Sequence, residues 1–495
     1  MLLRSVRLVP VGRPAPPDPV DVRLRGGAVV AVQRSLRPEP GDTVVEADGR
    51  WAAPGLWDAH VHLQQWARSR TRLDVSGTDG PEQVTALVAA HVTAMSDPGQ
   101  PVLGYGQRTA TWPRPPTVAE LDAVSGTCPV VLISGDAHHG WLNSRALHLL
   151  GLEPRTGVVE EAEWFAVFSR LHELGAGEDE TTTLRAAVED AARRGVVGIT
   201  DMEWEAGHDL WPARVADGID LLRVRTATYP QDLDAVLAAG RRTGRPLPGT
   251  GGLVTTGPVK VIFDGSLNTR TAWCCEPYGD RPGSWRGRLN LSPDELTALC
   301  ARAASAGLEM AVHAIGDAAV TAALDAVERS GARGSIEHVQ LVSDADLPRF
   351  RALGVRASVQ PAHLLDDRDV TAVVWPDRQC RSFALRSLLD AGADVRLGSD
   401  APVARLDPWL AMAAAVHRSG DEREPWCPEQ SLTPAQALAA STDGHGTLAP
   451  GSPADVVLLD GDPLAPASDA AAAAARRHMP VAATFVAGRL THRAL

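Results

Sequence analysis

The stretch LEMAVHAIGDAAVTAALDAVERSGARGSIEHVQ, residues 308–340, points to the fold class most directly. It starts and ends with short apolar runs, LEMAVHA and GSIEHVQ, which are typical of buried strands. The alanine-rich segment between them, DAAVTAALDAVERSG, predicts a helix. A strand, a helix and another strand in this order predict two parallel strands with the helix packed outside their sheet.

The same unit recurs along the middle of the chain. The other candidate strands are the run before DAHVHL, CPVVLISGDAH, VVGIT, LLRVRTATY, VKVIFD, VRASVQP and ADVRLGSD. Because this many units favour a closed ring over an open sheet, we predict an α/β protein with a (β/α)8 TIM-like barrel. Nine candidates are one more than the barrel needs, so we assign one to an insertion after the first barrel strand, at about residues 64–150.

The two ends of the chain have a different pattern. Short strands with turns are predicted in SVRLVPV, DVRLRGGAVVAVQRS and TVVEADGRWAAPG near the start, and in GSPADVVLLDGDPL and VAATFVAGRLTH near the end. We therefore predict one small β-sandwich from residues 1–53 and 441–495, with the barrel in residues 54–440.

Composition excludes several classes of function. The formal net charge of −13 and the lack of basic runs argue against nucleic acid as a partner. No window has the roughly 20 apolar residues of a membrane span, and the first residues lack the apolar region of a signal peptide, so we expect a cytoplasmic protein. The six cysteines show no CxxC spacing, which suits reduced thiols. The 13 tryptophans indicate either an aromatic-lined cleft or compositional drift.

A pair of histidines lies on a short predicted strand, in PGLWDAHVHL. Side chains two residues apart on a strand point the same way, so His60 and His62 would both face the barrel interior. Buried imidazoles need a partner for their lone pairs, and a divalent cation is a common one. The same pattern also occurs on solvated strands, so the pair alone leaves the question open.

Three further polar residues end predicted barrel strands: His313, His338 and Asp400. In this fold the carboxyl ends of the strands form the functional face. Each histidine taken singly is more often a satisfied core residue, but five such strand ends favour a common site. Histidine and carboxylate ligands without thiolate are typical of catalytic zinc or another first-row divalent metal.

Lys260, in VKVIFDGSL, is the only lysine among 48 basic residues. Chance is one explanation. The other is chemistry that needs an amine able to lose its proton, which a guanidinium cannot do.

Several motifs together resemble the amidohydrolase superfamily, and within it the YtcJ-like branch, amidohydrolase family 3, which includes N-substituted formamide deformylase. The similarity extends along nearly the whole chain and is carried by APGLWDAHVHL, GDAHHGWLNSRAL, VKVIFDGSLNTRTA, VHAIGDAAV, IEHVQLV, VQPAHLLDD and GSDAPV. Membership implies a (β/α)8 barrel with a sandwich built from both termini, in agreement with the patterns above.

The resemblance also implies roles for individual residues. His60 and His62 match the ligands of one metal, and His313 and His338 match those of a second. Lys260 matches a lysine that many relatives convert to a carbamate bridging both metals. Asp400 matches an aspartate that contacts metal and acts as general base and then acid. The implied cofactor is zinc, as one or two divalent ions.

Other positions match blocks near the substrate. His138, Asn143, Asp264 and Ser266 are predicted substrate-binding residues, and His363 is a predicted catalytic contact to the oxyanion or substrate. Asp264 has an equal alternative as a helix cap. His139 is interpreted as structural. For Glu160 and Glu161 we favour a helix start over a metal-binding role.

The predicted activity is metal-dependent hydrolysis of a C–N bond, of amide type, in a small molecule. One alternative is a deaminase or cyclic-amide hydrolase on the same scaffold. Another is a non-catalytic scaffold protein, which the complete ligand set disfavours. The sequence leaves open whether the protein forms a homodimer.

Overall fold

The computed structural model describes residues 1–97, 99–174, 180–281, 283–466 and 469–495. The strands, numbered in chain order, are β1 Leu2–Leu8, β2 Val20–Arg25, β3 Ala28–Gln33, β4 Val44–Glu46, β5 Trp51–Pro54, β6 Leu56–Val61, β7 Leu73–Asp74, β8 Val102–Gln107, β9 Val130–Ser134, β10 His139–Leu142, β11 Val159–Glu160, β12 Val196–Asp201, β13 Arg223–Thr228, β14 Val254–Ile262, β15 Met310–Ala314, β16 Gly334–His338, β17 Arg356–Val359, β18 Asp394–Leu397, β19 Val456–Leu459, β20 Val481–Val486 and β21 Arg489–Arg493.

The α-helices of the described residues are α1 Leu63–Ser69, α2 Pro81–Ala94, α3 Val118–Ser125, α4 Ser144–Leu149, α5 Glu161–Phe168, α6 Glu180–Arg193, α7 Gly207–Ala216, α8 Leu233–Ala238, α9 Pro293–Ser305, α10 Asp317–Ser330, α11 Leu347–Leu353, α12 Leu364–Val374, α13 Leu385–Asp390, α14 Pro408–His417, α15 Pro434–Ala440 and α16 Ala470–Arg477. Short 3-10 helices cover Thr109–Thr111, Leu171–Leu174, Pro230–Asp232, Pro361–His363, Gln379–Arg381 and Pro428–Gln430. Within these ranges every helix is too short or too polar to cross a membrane.

Eight parallel strands of the described chain form the barrel, in the order β6-β12-β13-β14-β15-β16-β17-β18. The two ends of this sheet meet where Val61 forms a parallel bridge with Ala401. Eight of the nine candidate strands therefore belong to the barrel, and the predicted fold class is confirmed.

The unit that opened the sequence analysis shows why the barrel is stable. In α10 the buried side chains include Val320, Leu324 and Val327, spaced three or four residues apart, so they lie on one face of the helix. They belong to the same buried apolar cluster as Val312 of β15 and Ile336 of β16. Replacing a fully buried leucine of such a cluster by alanine costs about 2–5 kcal/mol.

The two ends of the chain share a second sheet, in the order β21-β20-β19-β5-β1-β2-β3, with β4 paired to β1. One apolar core unites side chains from both ends, including Leu3, Val22, Val456 and Phe485. This agrees with a sandwich built from both termini.

The ninth candidate strand lies outside the barrel. Its VVLIS run forms β9, which pairs with β8 and β10 in a separate sheet of the order β11-β10-β9-β8-β7. This sheet extends from Leu73 to Glu160, ten residues beyond the end predicted for the insertion, because β11 pairs with β10 in antiparallel fashion.

The prediction that all cysteines are reduced is wrong for one pair. Cys380 and Cys427 form a disulfide, with 5.5 Å between their Cα atoms and a sequence separation of 47. The two cysteines lie on segments that meet only in the folded barrel, so their spacing in the sequence carried no signal.

Candidate metal centre and active site

The strand-end residues converge on one cleft. His60 lies in β6, Lys260 in β14, His313 in β15 and His338 at the end of β16, and Asp400 follows β18. All five are buried, with at most 7% of their surface exposed. They line one cavity at the carboxyl ends of the barrel strands, which we call the cleft.

His60 lies close to two other residues of the site. Its Nε2 lies 3.2 Å from Nζ of Lys260 and 3.4 Å from Oδ1 of Asp400. Nε2 of His62 lies 3.5 Å from the same Asp400 oxygen. One ligand atom each from His60, His338 and Asp400 lies within 4.8 Å of the other two, which is close enough for one ion to contact all three.

Glu337 orients His60. Its Oε2 lies 2.7 Å from Nδ1 of His60, so that nitrogen donates to the carboxylate and Nε2 is left facing the cleft. Glu337 is fully buried and also accepts a hydrogen bond from the Ser335 hydroxyl. The sequence analysis missed this residue, although a carboxylate inside an otherwise apolar strand was a usable signal.

Two site residues adopt unusual backbone conformations. His338 has φ 72° and Asp400 has φ 55°, in the left-handed region that non-glycine residues rarely occupy. The backbone around Asp400 is fixed because its N–H donates to the carbonyl of His60 over 2.7 Å. Such strain is typical of functional sites, where the surrounding structure holds a side chain in a required direction.

Burial keeps three site imidazoles uncharged. It lowers the pKa of His62 to about 3 and the pKa values of His313 and His338 well below the usual range. Burial also lowers the pKa of Lys260, although the nearby carboxylates of Glu337 and Asp400 oppose the shift. The three histidines therefore offer nitrogen lone pairs rather than positive charges.

His313 lies beside the central group rather than within it. Its ring centroid is 4.5 Å from that of His338. Its Nε2 lies 3.3 Å from the carbonyl oxygen of Gly265 and 3.5 Å from Oδ1 of Asp264.

His138 enters the cleft from the insertion and is held by Glu161. Nδ1 of His138 lies 3.3 Å from Oε2 of Glu161. Although burial opposes the charge, the carboxylate of Glu161 outweighs it and raises the pKa of His138 to about 9. Glu161 starts α5, as expected, and also accepts from the hydroxyls of Thr269 and Thr271, which joins the insertion to the barrel. Glu160 is exposed.

Two other predicted residues line the cleft. Nε2 of His363 lies 3.9 Å from Oδ2 of Asp400 and has no hydrogen-bond partner in the described part of the chain. Ser266 faces the cleft, and its hydroxyl lies 2.9 Å from that of Thr269.

The structure does not bring Asn143 to the cleft. Its Oδ1 accepts from the backbone of Ala146 and Val130, and its Nδ2 donates to Ser125 and Cys128. The residue therefore caps α4 and is fully engaged in the insertion, because a buried amide must satisfy all its polar atoms locally.

Asp264 also differs from the substrate-binding prediction. It is fully buried and its carboxylate accepts backbone N–H groups of Trp273, Ile315 and Gly316 over 2.9–3.0 Å. Burial nevertheless raises its pKa to about 7. Asp264 anchors the chain that leads into α10, which is close to its alternative as a helix cap. His139, whose Nε2 lies 3.1 Å from the Thr109 hydroxyl, is buried in the insertion.

The cleft has a polar wall that sequence reasoning missed. It includes Arg108 and Asp136 from the insertion and Asp367 from α12. Arg108 pairs with Asp366 at 2.7 Å and donates to the carbonyl of Val403 at 3.2 Å. Asp136 and Asp367 lie within the motifs GDAHHGWLNSRAL and VQPAHLLDD, but neither motif shows that the insertion packs over the barrel and brings them together with Arg108.

Comparison with known proteins gives a consistent set of similarities. A family model described as "Amidohydrolase family" matches residues 43–492. The chain is 30% identical to LONG AFTER FAR-RED 3 of Arabidopsis thaliana, over 88% of this chain and 83% of that protein. It is 27% identical to YtcJ of Bacillus subtilis, over 86% and 87%. It is 24% identical to the N-substituted formamide deformylase of Arthrobacter pascens, over 90% of each.

A solved structure is similar over almost the whole chain. An uncharacterized metal-dependent hydrolase from Pyrococcus horikoshii superimposes with a TM-score of 0.78 and 26% identity, covering 94% of this chain and 98% of that one.

Proposed function

The chain belongs to the amidohydrolase family, and from that membership we propose that it is a metal-dependent hydrolase that cleaves an amide-type C–N bond in a small molecule. One observation carries the proposal: ligand atoms of His60, His338 and Asp400 converge within 4.8 Å, with His60 oriented by Glu337. A divalent cation would satisfy the buried lone pairs that this group brings together.

The donor set fits a divalent metal. His60, His62, His338 and Asp400 would hold one ion, with zinc the best match to imidazole and carboxylate ligands. The Nδ1–H of His60 donates to Glu337, which is the usual support of a metal-bound imidazole. His313 and Lys260 would serve a second ion. A bound divalent metal supplies hydroxide at neutral pH and polarises the scissile carbonyl.

Lys260 is proposed to become a carbamate. Its lowered pKa favours the neutral amine, whose lone pair can attack the carbon of carbon dioxide. The new N–C bond forms as one C=O electron pair moves to oxygen, and the nitrogen releases a proton to solvent. The product is a carboxylate-like anion beside His60, where an ammonium would be an unfavourable buried charge.

Asp400 is proposed to move the proton. Its Oδ1 faces His60 and His62, and its Oδ2 faces His363. A carboxylate in this position can accept the proton of the attacking water and return it to the departing nitrogen. The unpaired Nε2 of His363 is then available to hydrogen-bond the substrate.

His138 is proposed to bind the substrate's carbonyl or carboxylate oxygen. With its pKa near 9, the side chain is a charged donor at neutral pH, and Glu161 fixes the direction of its ring. Ser266 adds a hydroxyl at the same wall.

The direct test is hydrolysis. Purified protein is incubated with a panel of N-formyl and N-acyl amines, and the released amine and acid are quantified with and without added zinc, cobalt or manganese. Release of an amine supports the proposal. Release of ammonia, or ring opening without an amine, would favour the deaminase or cyclic-amide alternative. No turnover of any amide, with no metal bound, would favour a non-catalytic scaffold.

A further inference from the structure

A second cavity adjoins the cleft. It has a volume of about 840 Å³, and we call it the antechamber. The two cavities share Gln65, Phe165, Phe168 and Trp204 in their walls, so a ligand can extend from one into the other. The volume of the antechamber falls within the range of sites for small molecules, which is about 300–1,000 Å³.

The passage between the two cavities is aromatic. The ring of His138, which is 6.2 Å from His313, lies 5.3 Å from Phe165 of α5. Phe165 is 5.8 Å from Trp204, which follows β12, and Trp204 stacks on Tyr229 at 4.4 Å. Phe165 and Trp204 are only half-buried, so part of each ring is left against the cavities.

Several polar groups of the antechamber already pair with one another. Arg68 pairs with Glu180 and, at 3.3 Å, with Glu205. Glu203 accepts from the backbone and side-chain nitrogens of Gln65, at 3.1 and 2.9 Å.

A large part of the antechamber wall is apolar. Its wall includes Leu103, Leu171 and Leu210 as well as the aromatic rings. Half-buried aromatic rings beside a catalytic cleft gain most by covering their faces with another flat apolar group, at about 25 cal/mol per Å² buried.

We propose that the substrate carries a large, flat apolar group that lies in the antechamber against Phe165 and Trp204 while its amide lies in the cleft. These two side chains determine specificity. The inference rests on the proposed hydrolase function and names the class of its substrate: amides of bulky aromatic or alicyclic amines or acids. The structural alternative is that the rings only attach the insertion to the barrel.

The test compares amides that differ only in bulk. We would measure kcat/KM for N-formyl derivatives of methylamine, butylamine, cyclohexylmethylamine and 2-naphthylmethylamine, and for the matching N-acyl series in which the acid is varied. In the series whose variable group enters the antechamber, the naphthyl compound should exceed the methyl compound by at least about 100-fold, or about 2.8 kcal/mol.

Variants of Phe165 and Trp204 test whether their rings cause the preference for bulky amides. Trp204→Ala and Phe165→Ala should each reduce the naphthyl-to-methyl ratio of kcat/KM by at least about tenfold, and Trp204→Phe should restore part of it. Trp285→Ala is the matched control, because Trp285 is 42% exposed and lines neither cavity. It should leave the ratio unchanged.

A binding measurement separates the two proposals. Calorimetry with N-formyl-2-naphthylmethylamine and its acyl counterpart on the Asp400→Asn protein should give a Kd that Trp204→Ala weakens by at least about tenfold. If no amide is hydrolysed but this binding pattern is found, the proposed function fails and the apolar site stands. If small and bulky amides are hydrolysed equally, or the ratio is unchanged in folded Trp204→Ala and Trp204→Phe proteins, the inference is wrong and the function stands.

Discussion

Lys260 offers the sharpest perturbation of the proposed site, because its replacements separate charge, volume and reactivity. Lys260→Arg keeps the positive charge but cannot form a carbamate. Lys260→Met keeps most of the side-chain volume without the charge. Lys260→Ala removes the group and leaves space beside His60.

The expected magnitude follows from the position of the amine. Lys260 is 2% exposed, and its Nζ lies 3.2 Å from Nε2 of His60. Loss of a residue that only supports a metal ligand weakens metal binding by about 10- to 100-fold. Loss of a bridging ligand should therefore weaken the second metal by at least about 100-fold, or about 2.8 kcal/mol.

The assay combines metal analysis, turnover and thermal unfolding. We expect Lys260→Arg and Lys260→Ala to lose one metal per chain and most turnover, and acetate to restore part of the activity of Lys260→Ala. Lys260→Met should unfold no more easily than the metal-free wild type, because an apolar side chain of similar volume replaces a buried polar amine. This result would show that the Lys260 variants lose turnover because the chemistry is impaired and not because the fold is damaged.

The reasoning would be refuted by a Lys260→Arg protein that binds as much metal as the wild type and turns over normally. Electron density or mass spectrometry of the native protein showing an unmodified Lys260 in a fully active enzyme would refute the carbamate alone.

Other residues give three further predictions. Asp400→Asn should keep the fold and at least one metal but lose about 10²- to 10⁴-fold in kcat, since an amide cannot accept the water's proton. A near-normal kcat would show that another residue acts as the general base. Glu161→Gln should remove the support of the His138 charge, whose pKa is about 9 in the folded chain against about 6.5 unfolded. The stabilisation is therefore complete at about pH 5–6.5 and lost as the pH rises through 9, so the melting temperatures of wild type and variant should converge there, and a constant difference would contradict the pairing. Alkylation of the denatured, unreduced protein should label four thiols; six would show that Cys380 and Cys427 are reduced, as the sequence predicted.

The barrel and the positions of the proposed metal ligands were predictable because they depend on local patterns. A strand ends in a polar residue, and in a parallel barrel all such ends meet on one face, so the positions of His60, His313 and His338 follow from the strand assignment. Lys260 was also recognisable from the sequence, because it is the only lysine in the chain.

Residues that depend on contacts between distant segments were not predictable. Asn143 lies in a motif with active-site residues, yet its amide caps a helix inside the insertion. Glu161 was recognised as a helix start, but its contact with His138 depends on how α5 approaches β10. The rings of Phe165 and Trp204 come from segments 39 residues apart in sequence and carry no motif.

The central claim is that the cleft binds a divalent metal on which hydrolysis depends, and elemental analysis coupled to turnover tests it most directly. The protein as purified, after chelation, and after addition of zinc, cobalt or manganese would be compared with His60→Ala treated in the same way. We predict that the wild type contains one or two metal ions per chain and that its activity disappears on chelation and returns with metal. We predict that His60→Ala shows neither stoichiometric metal nor metal-dependent activity. Sub-stoichiometric metal in the wild type, with no amide hydrolysis gained on adding any of the three metals, would contradict the account.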